Sequence, residues 1–551
     1  MAVVRGGVTP AELARDGMSV GILSAGIGEV SAEKTYADIS AGNRDRPPSD
    51  AVPGLLRMTL ARAGLTRSLR TVAVGRGELG GLVAGLRADD LLVAFAAPPP
   101  AKNEGLPIGI AGNRFHGSLT SDSTRTAGYV LSTDLAPTIL RRLGLPIPGE
   151  MNGEPIRAEG RIDPGAIEDL AARMKAIPER RAPVVIGCLA TWVLVAALIA
   201  LLRPGRGAAA AAWLALAFAY MPLMLLAGAA LEPAAGVEAA LVGFGAAALA
   251  ALTVALVPGW SALAVACGAT LVAYAIDLIA GSDLTVLSLL GPNPIYGARF
   301  YGIGNELEAL FAVMVPVGVG AGLTAWAGEG RTLGAGAAAR TFLAVAVLAA
   351  IVFGAGRFGA DVGAAIVLPV GAAVAAVSVG ASPTLPDLGS IRLQRQRGRI
   401  VAALIAAPLI ALVFLALIDL VSGANAHLTR SVLDAGGTGD LADLADRRLR
   451  LSAHDFGQAA GNPLFWLVIA GLLTALLRRR EIALWLEPAP IARAGLIGAA
   501  VSVALCVLVN DSGATVLVLG SLALGAFLAF AWAQRARAEE PQFAENAGQN
   551  S

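Results

Sequence analysis

Residues 184–202, VVIGCLATWVLVAALIALL, run for nineteen positions without a charge. A helix needs about 20 apolar residues to cross a hydrocarbon core about 30 Å thick, so this stretch reads as a first membrane span. Residues 1–180 have the mixed composition of a soluble chain, whereas the sequence from 183 to 533 repeats such apolar runs. Of the 551 residues, 56% are hydrophobic and only 15% are charged, against about 25% charged in soluble proteins. The expected architecture is an N-terminal α/β domain over 1–180 and an all-α polytopic transmembrane bundle of about 11 spans over 181–535. Residues 536–551 are expected to form a disordered cytoplasmic tail.

The spans are placed near 184–202, 208–230, 236–257, 261–280, 305–326, 341–355, 359–380, 400–421, 463–477, 494–510 and 514–533. Under this count one side collects Arg203 and Arg206, Arg331 and Arg340, Arg392, Arg395, Arg397 and Arg399, then Arg478 to Arg480 with Arg493, and finally Arg535 and Arg537. The positive-inside rule makes that side cytoplasmic. The C-terminus is then cytoplasmic and the N-terminal domain lies outside a plasma membrane. Arg180, Arg181, Arg447, Arg448 and Arg450 fall on the other side and oppose this orientation. The first twenty residues also lack the apolar core of an export signal, so either the first span acts as a reverse anchor for the domain before it or, the favoured expectation, Met1 is not the true start.

A net charge of +1 gives no electrostatic support to a nucleic-acid partner. Cys188, Cys267 and Cys506 each fall inside an expected span and build neither a disulfide framework nor a zinc motif. No nucleotide-binding loop is present.

Within 1–180, strand and helix signals alternate: TVAVG (71–75), ELGGLVAGL (78–86), DLLVAFAAP (90–98) and PIGIAG (107–112). This pattern predicts an α/β domain with a mostly parallel sheet. In GYVLSTDLAPTILRRLGLPIPGEMNGEPI (128–156) a strand at Tyr129–Leu131 ends in three N-cap residue types, Ser132, Thr133 and Asp134. Pro137 then falls in a first helical turn, and Gly144 ends the helix.

The segment 132–156 resembles the C-terminal strand–helix–loop of the alkaline phosphatase superfamily, through S/T-x-D-L-A-P-T-I-L, L-G-x-P and M-x-G. AELARDGMSVGIL (11–23) and TYADISAGNR (35–44) resemble the early part of such domains in bacterial polytopic membrane proteins, where a phosphatase-like domain precedes a many-span region. The resemblance implies two metals held by Asp and His side chains and a Ser or Thr nucleophile. This sequence departs from it: His116 is the domain's one histidine, and LLVAFA (91–96) runs into APPPAKN (97–103) where an Asp-His-Gly segment is expected. The domain therefore reads as a degenerate, N-terminally truncated pseudo-enzyme with no metal site and no assigned catalytic residue, an active phosphatase or phosphotransferase being the alternative. His116 and Asp122 are candidate remnants. TSDSTRTAG (120–128), with Arg125, is either an anion-holding loop or a polar turn.

Polar side chains in the second half gather in four groups. The first is GPNPIYGARFYGIGNELEALF (291–311), with Asn293, Arg299, Tyr301, Asn305, Glu306 and Glu308, preceded by Asp277. The others are GAGRFGADVG (354–363) with Arg357 and Asp361, SGANAHLTRS (422–431) with Asn425, His427 and Arg430, and VNDSGA (509–514) with Asn510 and Asp511. All four are expected on the outer side, where they would converge on a polar cavity beneath the soluble domain. Asn305 and Glu308 share a helix face, and Glu306 is turned about 100° away. Arg357 and Asp361 would pair if their helix begins early enough.

Arg299, Arg357, His427 and Arg430 suit an anion such as a lipid phosphate or pyrophosphate. Glu306, Glu308, Asp361 and Asp511 would bind a divalent cation, act as a base, or balance the arginines. The plainer alternative is that interfaces collect polar residues and short loops need Gly, Asn and Asp. The expected function is a multi-pass envelope protein handling a phosphate-bearing or lipid-linked substrate, with the bilayer and that substrate as partners. A transporter or flippase and a non-enzymatic scaffold are the alternatives.

Overall fold

The computed structural model describes all residues except 27–29, 45–50, 204, 297–298, 329–330, 332, 380–397, 399–400, 403–405, 408, 411–412, 414–449, 451 and 550–551. The chain divides into two units: Met1–Arg180 with Pro292–Tyr301, and Arg181–Gly291 with Gly302–Ser551.

The first unit is built on an eight-stranded sheet: β1 (Ala2–Val4), β2 (Ser19–Ser24), β3 (Val72–Val74), β4 (Leu91–Ala96), β5 (Leu106–Gly112), β6 (Ser118–Thr120), β7 (Tyr129–Leu131) and β8 (Arg157–Glu159). The order is β3-β1-β4-β5-β2-β6-β8, and β7 also pairs with β2. The sheet is mixed: four of its seven strand pairings are parallel and three are antiparallel. β1 runs parallel to β3 and β4, and β2 to β6 and β7. β5, however, is antiparallel to both β4 and β2, and β8 is antiparallel to β6. The nine residues between β4 and β5 (97–105) are too few for the helical crossover that a parallel pair needs, which takes a dozen or more.

β2 and β4 are buried along almost their whole length, which accounts for their continuous apolar runs. Helices α1 (Pro10–Arg15), α2 (Ala32–Ala41), α3 (Leu55–Arg62), α4 (Leu79–Ala84) and α5 (Leu135–Arg142) connect the strands. Thr9 and Glu12 form a capping box at the start of α1. The α3 side chains Leu55, Leu56 and Leu60 pack with Ala136, Ile139 and Leu140 of α5 and with Met151. The M-x-G pattern has a steric basis here. A Cβ on Gly153 would lie 2.1 Å from the Thr133 carbonyl oxygen.

Residues 292–301 complete this unit. The Tyr129 hydroxyl donates to the Pro294 carbonyl at 3.2 Å, and the Tyr129 ring lies 6.2 Å from that of Phe300. Arg44 covers the Phe300 ring at 4.4 Å, and Arg125 covers Tyr301 at 3.9 Å.

The second unit is helical. Among the described residues, nine helices are long and apolar enough to cross a membrane. They include α6 (Pro164–Leu202), whose first seventeen residues belong to the first unit, α7 (Gly207–Leu231), α8 (Ala235–Leu256) and α9 (Gly259–Ala280), after which comes the short α10 (Asp283–Leu287). The series continues with α11 (Asn305–Gly328), α12 (Ala335–Gly354) and α13 (Val362–Val379). Then come α14 (Ser452–Ala459) and α15 (Pro463–Leu477), bent by 101° and together counting as at most a tenth span. The remaining elements are α16 (Arg479–Trp485), α17 (Pro490–Val509) and α18 (Gly513–Gln549). The span expected at 400–421 lies mostly outside the described residues. Helix α18 runs on past the expected last span, and Arg535 pairs with Glu539 one turn later at 2.6 Å.

Close helix contacts rest on glycine. A Cβ on Gly495 of α17 would stand 2.4 Å from the Pro316 carbonyl oxygen of α11, and one on Gly498 would stand 2.4 Å from the Gly371 carbonyl oxygen of α13. Small residues allow such backbone approach where lipid provides no hydrophobic drive. The seam sets α17 between α11 and α13, and so brings together the ends that carry the polar groups.

Candidate functional site

Helix α11 begins at Asn305, so Asn305, Glu306 and Glu308 occupy its first turn. The Asn305 amide donates to Asp511 Oδ1 at 2.8 Å and to Ser512 Oγ at 3.1 Å. One turn on, Asn510 Nδ2 donates to Glu308 Oε2 at 2.9 Å. Asn305 and Glu308 thus meet the same 510–512 turn, as their shared face predicts. Glu306 points elsewhere and pairs with Arg181 at 2.9 Å, and Arg181 also donates to the Gly291 carbonyl at 2.7 Å.

Glu308 and Asp361 are both 1% exposed, and Asn510 is 8% exposed. Asp361 precedes α13 and accepts the Gly363 backbone N–H at 2.9 Å, in the position of an N-cap. The Glu308 carboxylate reaches the same helix start. A Cβ on Gly363 would lie 2.4 Å from Glu308 Oε1 and 2.6 Å from Oε2. Two carboxylates therefore gather at one helix N-terminus, where the partial positive charge of the backbone favours anions. Cys506 closes the group, its Sγ 3.2 Å from Asn510 Nδ2.

The turn between α12 and α13 is tightly bonded. Gly359 N donates to Val352 O at 2.9 Å, Ile303 N donates to Gly359 O at 3.0 Å, and Ala360 takes φ of 51°. Arg357 is exposed in this turn. Because α13 starts only at Val362, Arg357 and Asp361 do not share a helix, and the helical i,i+4 geometry expected for them does not form. Asp277 holds a turn together: its carboxylate accepts Leu284 N, Thr285 N and Thr285 Oγ1 at the start of α10.

The structure therefore unites Asn305, Glu308, Asp361, Asn510 and Asp511, with Glu306 beside them. Asn293, Arg299 and Tyr301 belong to the first unit. Asn293 is fully buried there at φ of 47°, Arg299 is half-buried, and Tyr301 lies under Arg125. Asn425, His427 and Arg430 lie outside the described residues. Arg181 and Gly363 join the group without a signal in the sequence. Arg181 reads there as one more basic residue before a span, and Gly363 as one glycine among many.

In the first unit, the 120–128 loop is a polar turn whose hydroxyls are taken up internally. Ser121 and Ser123 each donate to buried Asp134 at 2.6 Å, and Leu131 N and Glu154 N donate to it at 3.0 and 2.9 Å. Burial pushes the Asp134 carboxyl up from its ordinary value, against the opposing pull of these four bonds. Asp122 is held by Arg157 at 2.7 Å, and His116 is exposed. Among the described residues no three His, Cys, Asp or Glu side chains gather to hold a metal. The described residues alone do not assemble the two-metal site that the superfamily resemblance implies.

Comparison of the chain with family models, curated proteins and solved structures found no match.

Proposed function

We propose that the protein is a multi-pass membrane protein of the cell envelope that handles a phosphate-bearing or lipid-linked substrate at the carboxylate–amide cluster of the helical unit. The observation that carries this reading is the burial of Glu308 and Asp361 together at the start of α13, bridged to α17 through Asn510. Ionisable side chains buried among apolar spans are rare, and they mark substrate or ion pathways by default. The carboxylates offer acceptors to hydroxyl or amine groups of a head group, and Asn305 and Asn510 add donors. Arg357, exposed in the adjoining turn, supplies the charge that suits a phosphate.

The first unit, in this reading, is an extracytoplasmic module of alkaline-phosphatase-like ancestry that binds or scaffolds and does not catalyse. The 132–156 motif supports the ancestry. The lone His116 and the commitment of Asp122 to Arg157 support the loss of activity.

The test uses the full chain in nanodiscs with a radiolabelled polyprenyl phosphate. Saturable binding is expected, weakened at least tenfold by Glu308→Gln and by Asp361→Asn in protein that still melts cooperatively. Binding that ignores both substitutions would sink the proposal. The break between α12 and α13, flanked by helix ends and a carboxylate, favours a second reading as a transporter or flippase. Movement of the same probe across sealed vesicles, abolished by Glu308→Gln, would select it.

A further inference from the structure

A pocket of about 310 Å³ opens between α16 and residues 532–539 of α18, lined by Glu481, Leu484, Trp485, Trp532, Arg535 and Glu539 among others. We propose that it binds the head group of a zwitterionic phospholipid, with the ammonium against the tryptophans and carboxylates.

Helix length sets the pocket's depth. Trp532 lies nineteen residues into α18, which begins at Gly513. At 1.5 Å per residue that is about 28 Å of helix, close to the ~30 Å hydrocarbon thickness. Trp532 therefore stands at one membrane interface, the level at which tryptophan is enriched. Arg535 and Arg537 follow it, and Arg478, Arg479 and Arg480 precede Trp485 on the short α16. A cavity at this level opens onto head groups.

The lining then selects the class. Two indoles with two carboxylates form the surroundings that attract an alkylammonium ion. Glu481 Oε2 accepts from Arg478 at 3.1 Å, and Glu539 Oε1 accepts from Arg535 at 2.6 Å. Each carboxylate thus meets an arginine through one of its oxygens. The arginines hold the carboxylates in place. A head group carrying only negative charge would meet two carboxylates against one lining guanidinium, whereas a phosphoethanolamine places a positive charge there. The arginine run of residues 478–480 supplies a counter-charge for the phosphate one ester linkage away.

Purified full-length protein in detergent would be titrated with dihexanoyl phosphatidylethanolamine and, separately, dihexanoyl phosphatidylglycerol, with tryptophan emission and native mass spectrometry as readouts. Saturable binding of the ethanolamine lipid is expected, at least tenfold tighter than that of the glycerol lipid. Trp485→Leu and Glu481→Gln, both at partly or fully exposed positions that leave the core untouched, should each weaken it at least fivefold while the melting temperature stays within a degree or two. Equal or tighter binding of phosphatidylglycerol overturns the proposal. So does ethanolamine-lipid binding that survives the Trp485→Leu/Glu481→Gln double substitution.

Discussion

Gly363 has space for a hydrogen and nothing larger, because the Glu308 carboxylate occupies the place of its side chain. Gly363→Ala should therefore force Glu308 off its bond with Asn510, at a cost of about 1–3 kcal/mol for overpacking. In a Glu308→Ala background the same change should cost under about 0.5 kcal/mol, since the clash is gone. A thermal-melt double-mutant cycle measures the difference; equal costs in both backgrounds would refute the contact. At Gly153 the obstacle is the Thr133 carbonyl, backbone that cannot step aside. Gly153→Ala should lower the stability of the first unit by more than Gly149→Ala, whose position is open, read by urea denaturation. The acids of the site are legible in the sequence because a charge stands out in an apolar run. The glycines are not, because their meaning lies in a partner far along the chain.

Helices α11, α13 and α17 follow from hydropathy, within a few residues of their bounds, because an uninterrupted apolar run leaves the backbone few other ways to satisfy its hydrogen bonds in lipid. Their contacts do not follow from it: hydropathy gives no phase when a helix is apolar on every side. The glycine seam supplies that phase. Gly495→Ala, pressing on the Pro316 carbonyl, is expected to destabilise the bundle by about 1–3 kcal/mol. Gly268→Ala, with open space around it, should be neutral or stabilise by up to about 1 kcal/mol through helix propensity. Differential scanning fluorimetry in one detergent compares them, and a reversed order would argue against the α11–α17 contact. The start of α13 escapes hydropathy for a related reason. The 354–361 turn keeps its polar backbone paired with Val352, Phe353 and Ile303, an arrangement that residue spacing does not announce.

Over the whole molecule, the sequence separates an α/β part from a helical part, but it does not reveal that ten residues return to the first unit. Phe300 and Tyr301 look like loop aromatics until Tyr129, Arg44 and Arg125 are set against them. Tyr129 reports on that union. Burial pushes its phenol up to about 12, against the opposing pull of Ser24 and Arg44. A folded-state value above the unfolded one of about 10 means that the buried phenol's contribution is intact below pH 10. It is lost as pH rises toward 12. Alkaline denaturation of the full chain should accordingly be shallower over pH 10–12 for Tyr129→Phe than for the parent; parallel curves would contradict the burial of this phenol. Expressed alone, residues 1–180 should melt below the same fragment joined to a 292–301 peptide, and indifference to the peptide would count against the docking. The discontinuity also has a temporal side. About 110 residues, including helices α7, α8 and α9, are synthesised between the end of the first segment and the arrival of the second. At about 5–20 residues per second the ribosome takes roughly 6–20 s over them. Throughout that interval Tyr129 lacks its lid, so the nascent α/β unit waits, unfinished and open to chaperones, on the insertion of helices that come after it.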